Sequence, residues 1–212
     1  MNRSQLAAPE LAAVEISGIS RGAFIMRGAV AAGAVYGAGA VSPFVRQALA
    51  QEGGGDAEIL NFALTLEYLE ATYYERALKQ VKGLSADTKK LATEIRDNEM
   101  AHVEGLMVAI KDLGGTPVKA PKVDFAGAYA SEKSFLKLAV TLEDTGVSAY
   151  NGAAPGIESK DILAAAGGIV QVEARHAALV RLARGQTPSP EAFDRALEAE
   201  QVLEAVKPFV KS

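Results

Sequence analysis

Only two histidines occur in the 212 residues, and each follows a glutamate by three positions: Glu99-x-x-His102 in "NEMAHVEG" and Glu173-x-x-His176 in "QVEARHAAL". On a helix, residues three apart share a face, so each motif sets a carboxylate beside an imidazole. That donor pair accepts iron, manganese or zinc. One such motif is weak evidence. Two of them, using every histidine in the chain, direct attention to whatever else shares their faces.

Those faces belong to helical stripes. From Asp56 to Val81, the residues Leu60, Ala63, Leu64, Glu67, Ala71, Tyr74 and Leu78 recur at steps of three and four, with a glutamate in mid-stripe. A second helix is predicted from a Ser85 cap to Leu113, ending at Gly114 and Gly115, with Leu91, Ile95, Glu99, His102, Leu106, Ala109 and Leu113 on one face. A Ser131 cap opens a third, whose stripe is Phe135, Ala139, Leu142, Glu143, Gly146 and Tyr150. A fourth, from about Ser159 to Arg184, carries Ile169, Glu173, His176, Ala177 and Val180 inward. From Ser189 onward, "SPEAFDRALEAEQVLEAVKPFV" has a proline at the first turn and reads as a shorter fifth helix.

The helical pattern lapses after Gly114 in "GGTPVKAPKVDFAGAYA", where Pro117 and Pro121 keep the chain extended. Two short turns and one long connection give hairpin, crossover, hairpin. The fold class is therefore all-α, a four-helix bundle with one crossover. An internal repeat agrees: residues 63–74, "ALTLEYLEATYY", lie over 139–150, "AVTLEDTGVSAY", and 95–102, "IRDNEMAH", lie over 169–176, "IVQVEARH". The hairpins read as copies, with a pseudo-twofold axis expected to run down the bundle.

If the hairpins pack antiparallel, Glu67, Glu99, Glu143 and Glu173 would converge at one depth. An ionised carboxylate in an apolar core costs several kcal/mol unless it is paired or bound to a metal. No lysine or arginine lies on these stripes to neutralise them. A pair of divalent cations, held by Glu67, Glu99, His102, Glu143, Glu173 and His176, would supply the missing charge. Such a pair can react with dioxygen or peroxide, or polarise a bound water. Glu70 lies to the side of the stripe and reads as a flanking acid. Glu104, Asp97 and Asp144 point away from the stripes.

Composition narrows the remaining classes. A formal charge of −4 and no basic patch argue against nucleic acid as a partner. The absence of cysteine excludes disulfides, zinc ribbons and thiolate nucleophiles. The first fifty residues hold four arginines, two acids and no lysine, then the uncharged run "GAVAAGAVYGAGAV", too short for a membrane span. Ala48 and Ala50 stand at the small-residue positions of a cleavage site, so residues 1–50 read as an export signal cut after Ala50. "SRGAFIM", from Ser20, resembles a twin-arginine signal with Gly22 in place of the second arginine, which leaves both the twin-arginine and the general secretory routes open. The expected organisation is a signal over 1–50, a bundle over 51–187 and a C-terminal helix over 188–212. The mature protein would be periplasmic or extracellular.

From about residue 56 to 184, the order Glu, then Glu-x-x-His, repeated once, resembles the ferritin-like di-iron and di-manganese carboxylate superfamily. Within it, the chain is similar to bacterial ferritin-like domain proteins that include desiccation-related proteins. The resemblance implies two iron or manganese ions on the six residues named above. It implies further that Tyr74 and Tyr150, each seven residues after a ligand glutamate, stand behind the ligands. Three roles stay open on this reading: a redox enzyme acting on dioxygen or peroxide, a ferroxidase with iron storage, and a stress or scaffold protein with a structural metal. A homo-oligomer is compatible with each.

Overall fold

A computed structural model describes residues 55–211; the expected export signal over 1–50 lies outside the described residues. The chain forms α1 (Asp56–Gln80), α2 (Ala86–Asp112), α3 (Glu132–Ala153), α4 (Lys160–Ala183) and a short α5 (Ala199–Val206). The expected starts hold because serine side chains accept the free amides of each first turn: Ser85 from Thr88, Ser131 from Ser134 and Ser159 from Ile162. Gly114, at φ +78, ends α2 where a side chain would be strained.

Helices α1 and α2 pack as one hairpin and α3 and α4 as the other. The crossover between them includes a 3-10 turn at Ala126–Ala130 and a single bridge between Val123 and Val210. It carries the chain back to the end where α2 began. There Glu132, at the start of α3, accepts hydrogen bonds from the Ser85 amide at 2.6 Å and the Thr88 hydroxyl at 2.7 Å. At the opposite end, Asp56 at the start of α1 accepts from the amides of Glu158 and Ser159, just before α4. Helix α1 thus runs parallel to α4, and α2 parallel to α3.

Three expectations need correction. Because α1 and α3 are antiparallel, with the Tyr73 hydroxyl bonded to the Phe135 carbonyl at 2.6 Å and Leu60 sharing a cleft with Tyr150 and Ala153, the pseudo-twofold axis crosses the bundle instead of running down it. The fifth helix does not begin near Pro190; it is helical only over Ala199–Val206. Residues 188–198 form a strap along α3, in which the Leu197 amide donates to the Ser148 carbonyl and Asn151 donates to the Arg195 carbonyl. Backbone groups engaged with α3 are not free to close helical turns. Leu113, expected inward, caps α2 and is exposed.

The core has two parts on either side of the glutamates. One gathers Tyr73, Tyr74, Phe125, Phe135 and Leu203; the other gathers Leu60, Leu64, Leu106, Ile110 and Tyr150. Helix α1 is buried almost all round from Leu60 to Glu70, more than its stripe predicts, because it touches α2, α3 and the crossover together. No described helix is long and apolar enough to cross a membrane.

Candidate metal centre

All six residues singled out by spacing meet between the four helices. Glu67, Glu99, Glu143 and Glu173 have no solvent exposure, and His176 is buried. His102 is the least enclosed, with 11% of its side chain exposed. Each helix contributes as its stripe requires: Glu67 from α1, Glu99 and His102 from α2, Glu143 from α3, Glu173 and His176 from α4.

The atoms fall into two halves. His102 Nδ1 faces Glu173 Oε1 at 3.0 Å, Glu67 Oε2 at 3.2 Å and Glu99 Oε2 at 3.3 Å. His176 Nδ1 faces Glu99 Oε1 at 2.8 Å, Glu143 Oε2 at 3.4 Å and Glu173 Oε2 at 3.8 Å. Glu99 and Glu173 therefore divide their two oxygens between the halves, whereas Glu67 and Glu143 each serve one. In each half the donor atoms lie within 4.8 Å of one another.

A cation fits this arrangement better than hydrogen bonds do. One N–H cannot satisfy three acceptors, and His176 Nδ1, Glu99 Oε1, Glu143 Oε2 and both Glu173 oxygens are buried without a hydrogen-bond partner. Donors about 2.1 Å from a shared ion stand roughly 3.0 Å apart in an octahedron and roughly 3.4 Å apart in a tetrahedron. The contacts in the His102 half, 3.0–3.3 Å, fall within that range, and those in the His176 half, 2.8–3.8 Å, straddle it. The absence of thiolates and the nitrogen–carboxylate donor set suit iron or manganese.

Surrounding groups fix two carboxylates and one imidazole in place. The Tyr150 hydroxyl donates to Glu67 Oε1 at 2.5 Å, and the Tyr74 hydroxyl donates to Glu143 Oε1. Each tyrosine thus reaches across to the glutamate of the other hairpin, leaving that glutamate's second oxygen turned to the centre. Asn98 lies 3.0 Å from His176 Nε2. An imidazole bound through Nδ1 carries its proton on Nε2, so the amide oxygen of Asn98 would then face it. Asn98 escaped the sequence reading because its counterpart in the repeat is Val172. Glu70 is buried too, beside Glu173 and Gly146. Of the acids expected to face outward, Glu104 and Asp97 are exposed, and Asp144 pairs with Arg181 at 2.5 Å.

Electrostatics reflect six carboxyl and imidazole groups without lysine or arginine. Burial, then the charge of Glu173, pushes Glu67 well above the usual carboxylate range. Burial raises Glu143 to about 8 despite the pull of His176. Burial alone would raise Glu99 as well, but His102 and His176 bring it down to about 2. Burial favours neutral imidazoles, yet the surrounding carboxylates outweigh it and hold both histidines at about 12. Burial and the adjoining glutamates keep Tyr74 and Tyr150 neutral, as hydrogen-bond donors. Protons thus occupy the place of the missing positive charge.

Fold and cluster define a crossover four-helix bundle with a buried carboxylate–histidine centre. The chain belongs to the ferritin-like domain family, which it matches over residues 55–186. It is also similar in structure to a conserved hypothetical protein, rv2844, from Mycobacterium tuberculosis, at 20% sequence identity and a TM-score of 0.57, covering 67% of this chain and 99% of that one. That likeness concerns the fold alone. No curated protein matches the sequence.

Proposed function

We propose that the chain binds two iron or manganese ions through Glu67, Glu99, His102, Glu143, Glu173 and His176, and that this centre reacts with dioxygen or peroxide. The observation that carries the reading is the division of oxygens: Glu99 and Glu173 each give one oxygen to the His102 half and the other to the His176 half. Carboxylates shared in this way would hold two ions close enough to act on one small molecule.

When bound, the ions supply redox equivalents and Lewis acidity. The chain's own residues do the rest. Tyr74 and Tyr150 orient the terminal glutamates, and the apolar walls above and below exclude water. A small apolar cleft of about 10 Å³, lined by Ile59, Leu60, Ala63, Leu66 and Ala166, adjoins Tyr150 and has room for one small uncharged molecule such as dioxygen. The small-residue positions at Ala48 and Ala50 support export, and the likeness to desiccation-related proteins supports a role in oxidative or desiccation stress.

The test is to load the protein with iron or manganese and follow dioxygen uptake and peroxide disproportionation beside Glu99→Ala and Glu173→Ala. Turnover lost in both variants supports the reading. Bound metal without turnover above that of free ions leaves a structural metal in a stress protein. Iron accumulating in a large hollow assembly, seen by solution mass, would make the centre a ferroxidase.

A further inference from the structure

The repeat that aligns Glu67 with Glu143 aligns Glu70 with Gly146. One hairpin carries a carboxylate where the other has no side chain. Glu70 is 3% exposed, and its Oε1 is buried without a hydrogen-bond partner. No arginine, lysine or histidine pairs with it among the described residues. A Cβ built on Gly146 would stand 3.2 Å from Glu70 Oε1, 3.4 Å from Glu70 Oε2 and 3.5 Å from Glu173 Oε2. The glycine therefore leaves the space that the Glu70 carboxylate fills, and that space adjoins the oxygen of Glu173 turned toward His176.

We infer that Glu70 is a seventh protein ligand, added to the metal position that Glu173 Oε2 faces, and that Gly146 makes room for it. This rests on the two-metal reading above. It makes the two positions unequal: one has Glu67, His102 and the shared glutamates, while the other has Glu143, His176, the shared glutamates and Glu70. The position with fewer protein donors keeps more sites for an exogenous ligand. The two ions accordingly bind in separate steps of different affinity.

The experiment is a cobalt(II) titration of the metal-free full chain, followed by visible absorption and calorimetry, on wild type, Glu70→Gln, Gly146→Ala and Glu104→Gln. Thermal melts confirm that each variant folds. Wild type is expected to bind two ions in two resolved steps, and Glu104→Gln, which alters only an exposed acid, to match it. Glu70→Gln should weaken one step by about ten- to a hundredfold and leave the other unchanged. Gly146→Ala should do the same with every charge retained, by displacing the Glu70 carboxylate. Two steps unchanged in Glu70→Gln would overturn the assignment and leave Glu70 a neutral buried acid that glutamine replaces. A wild type that binds no cobalt would instead refute the metal centre itself, and this assignment with it.

Discussion

Five glutamates are buried among the described residues, and the four that face the histidines do not carry equal weight. Glu99 and Glu173 touch both halves, so Glu99→Gln or Glu173→Gln should empty both positions, whereas Glu67→Gln should empty only the His102 half. Metal-to-protein ratios of the purified variants check this, and equal losses in all three would contradict it. The same atoms predict a pH dependence. In the metal-free chain both histidines, held at about 12, carry protons at neutral pH, and Glu143, at about 8, is largely protonated there. Coordination must displace these protons, so raising the pH removes competitors and affinity should climb from about pH 6 to about pH 9. Chelator competition at several pH values reads this directly, and a flat or falling profile would contradict it. The six principal residues were legible in the sequence because spacing and buried charge both pointed to them. The crossed tyrosine pairs were not, since which helix a Tyr74 hydroxyl reaches depends on how the hairpins face. Glu70 read as a flanking acid because its burial depends on a glycine of another helix.

Among the elements, the helix starts were legible because a serine cap is a local device, needing only the amides that follow it. The strap over 188–198 was not, because it replaces helical hydrogen bonds with bonds to α3, a tertiary choice. Gly152 makes that choice feasible: a Cβ there would lie 1.9 Å from the Leu197 carbonyl oxygen, and backbone cannot yield as a side chain can. Gly152→Ala should lift the strap, cost about 1–3 kcal/mol and expose residues 188–198 to protease. Gly167, on α4, has nothing within 4 Å of its Cβ position. Gly167→Ala should therefore stabilise the protein by about 0.5–1 kcal/mol through helix propensity alone. Thermal melts and limited proteolysis of the two variants separate these outcomes. A destabilised Gly167→Ala would mean that α4 packs against something there.

At the scale of the whole molecule, the six residues of the centre come from both hairpins, so a bound metal pair would join them. Ligand present at a hundredfold over its dissociation constant stabilises the folded state by about 2.7 kcal/mol, and chelation should lower the melting temperature accordingly. The antiparallel setting of α1 and α3 follows from the crossover, which the sequence marked by its length and prolines without giving its direction. The repeat then revealed two copies, but the axis expected to run down the bundle crosses it instead, as the Glu132 contacts with Ser85 and Thr88 show. That these converging acids and imidazoles hold two metal ions is the proposal on which the rest depends. Its most direct test is elemental mass spectrometry of the protein purified from its native compartment, beside the double variant His102→Ala and His176→Ala. Close to two irons or manganeses per chain are expected, lost in the variant. Metal-free native protein that remains folded, with its melting temperature unmoved by added iron or manganese, would contradict it.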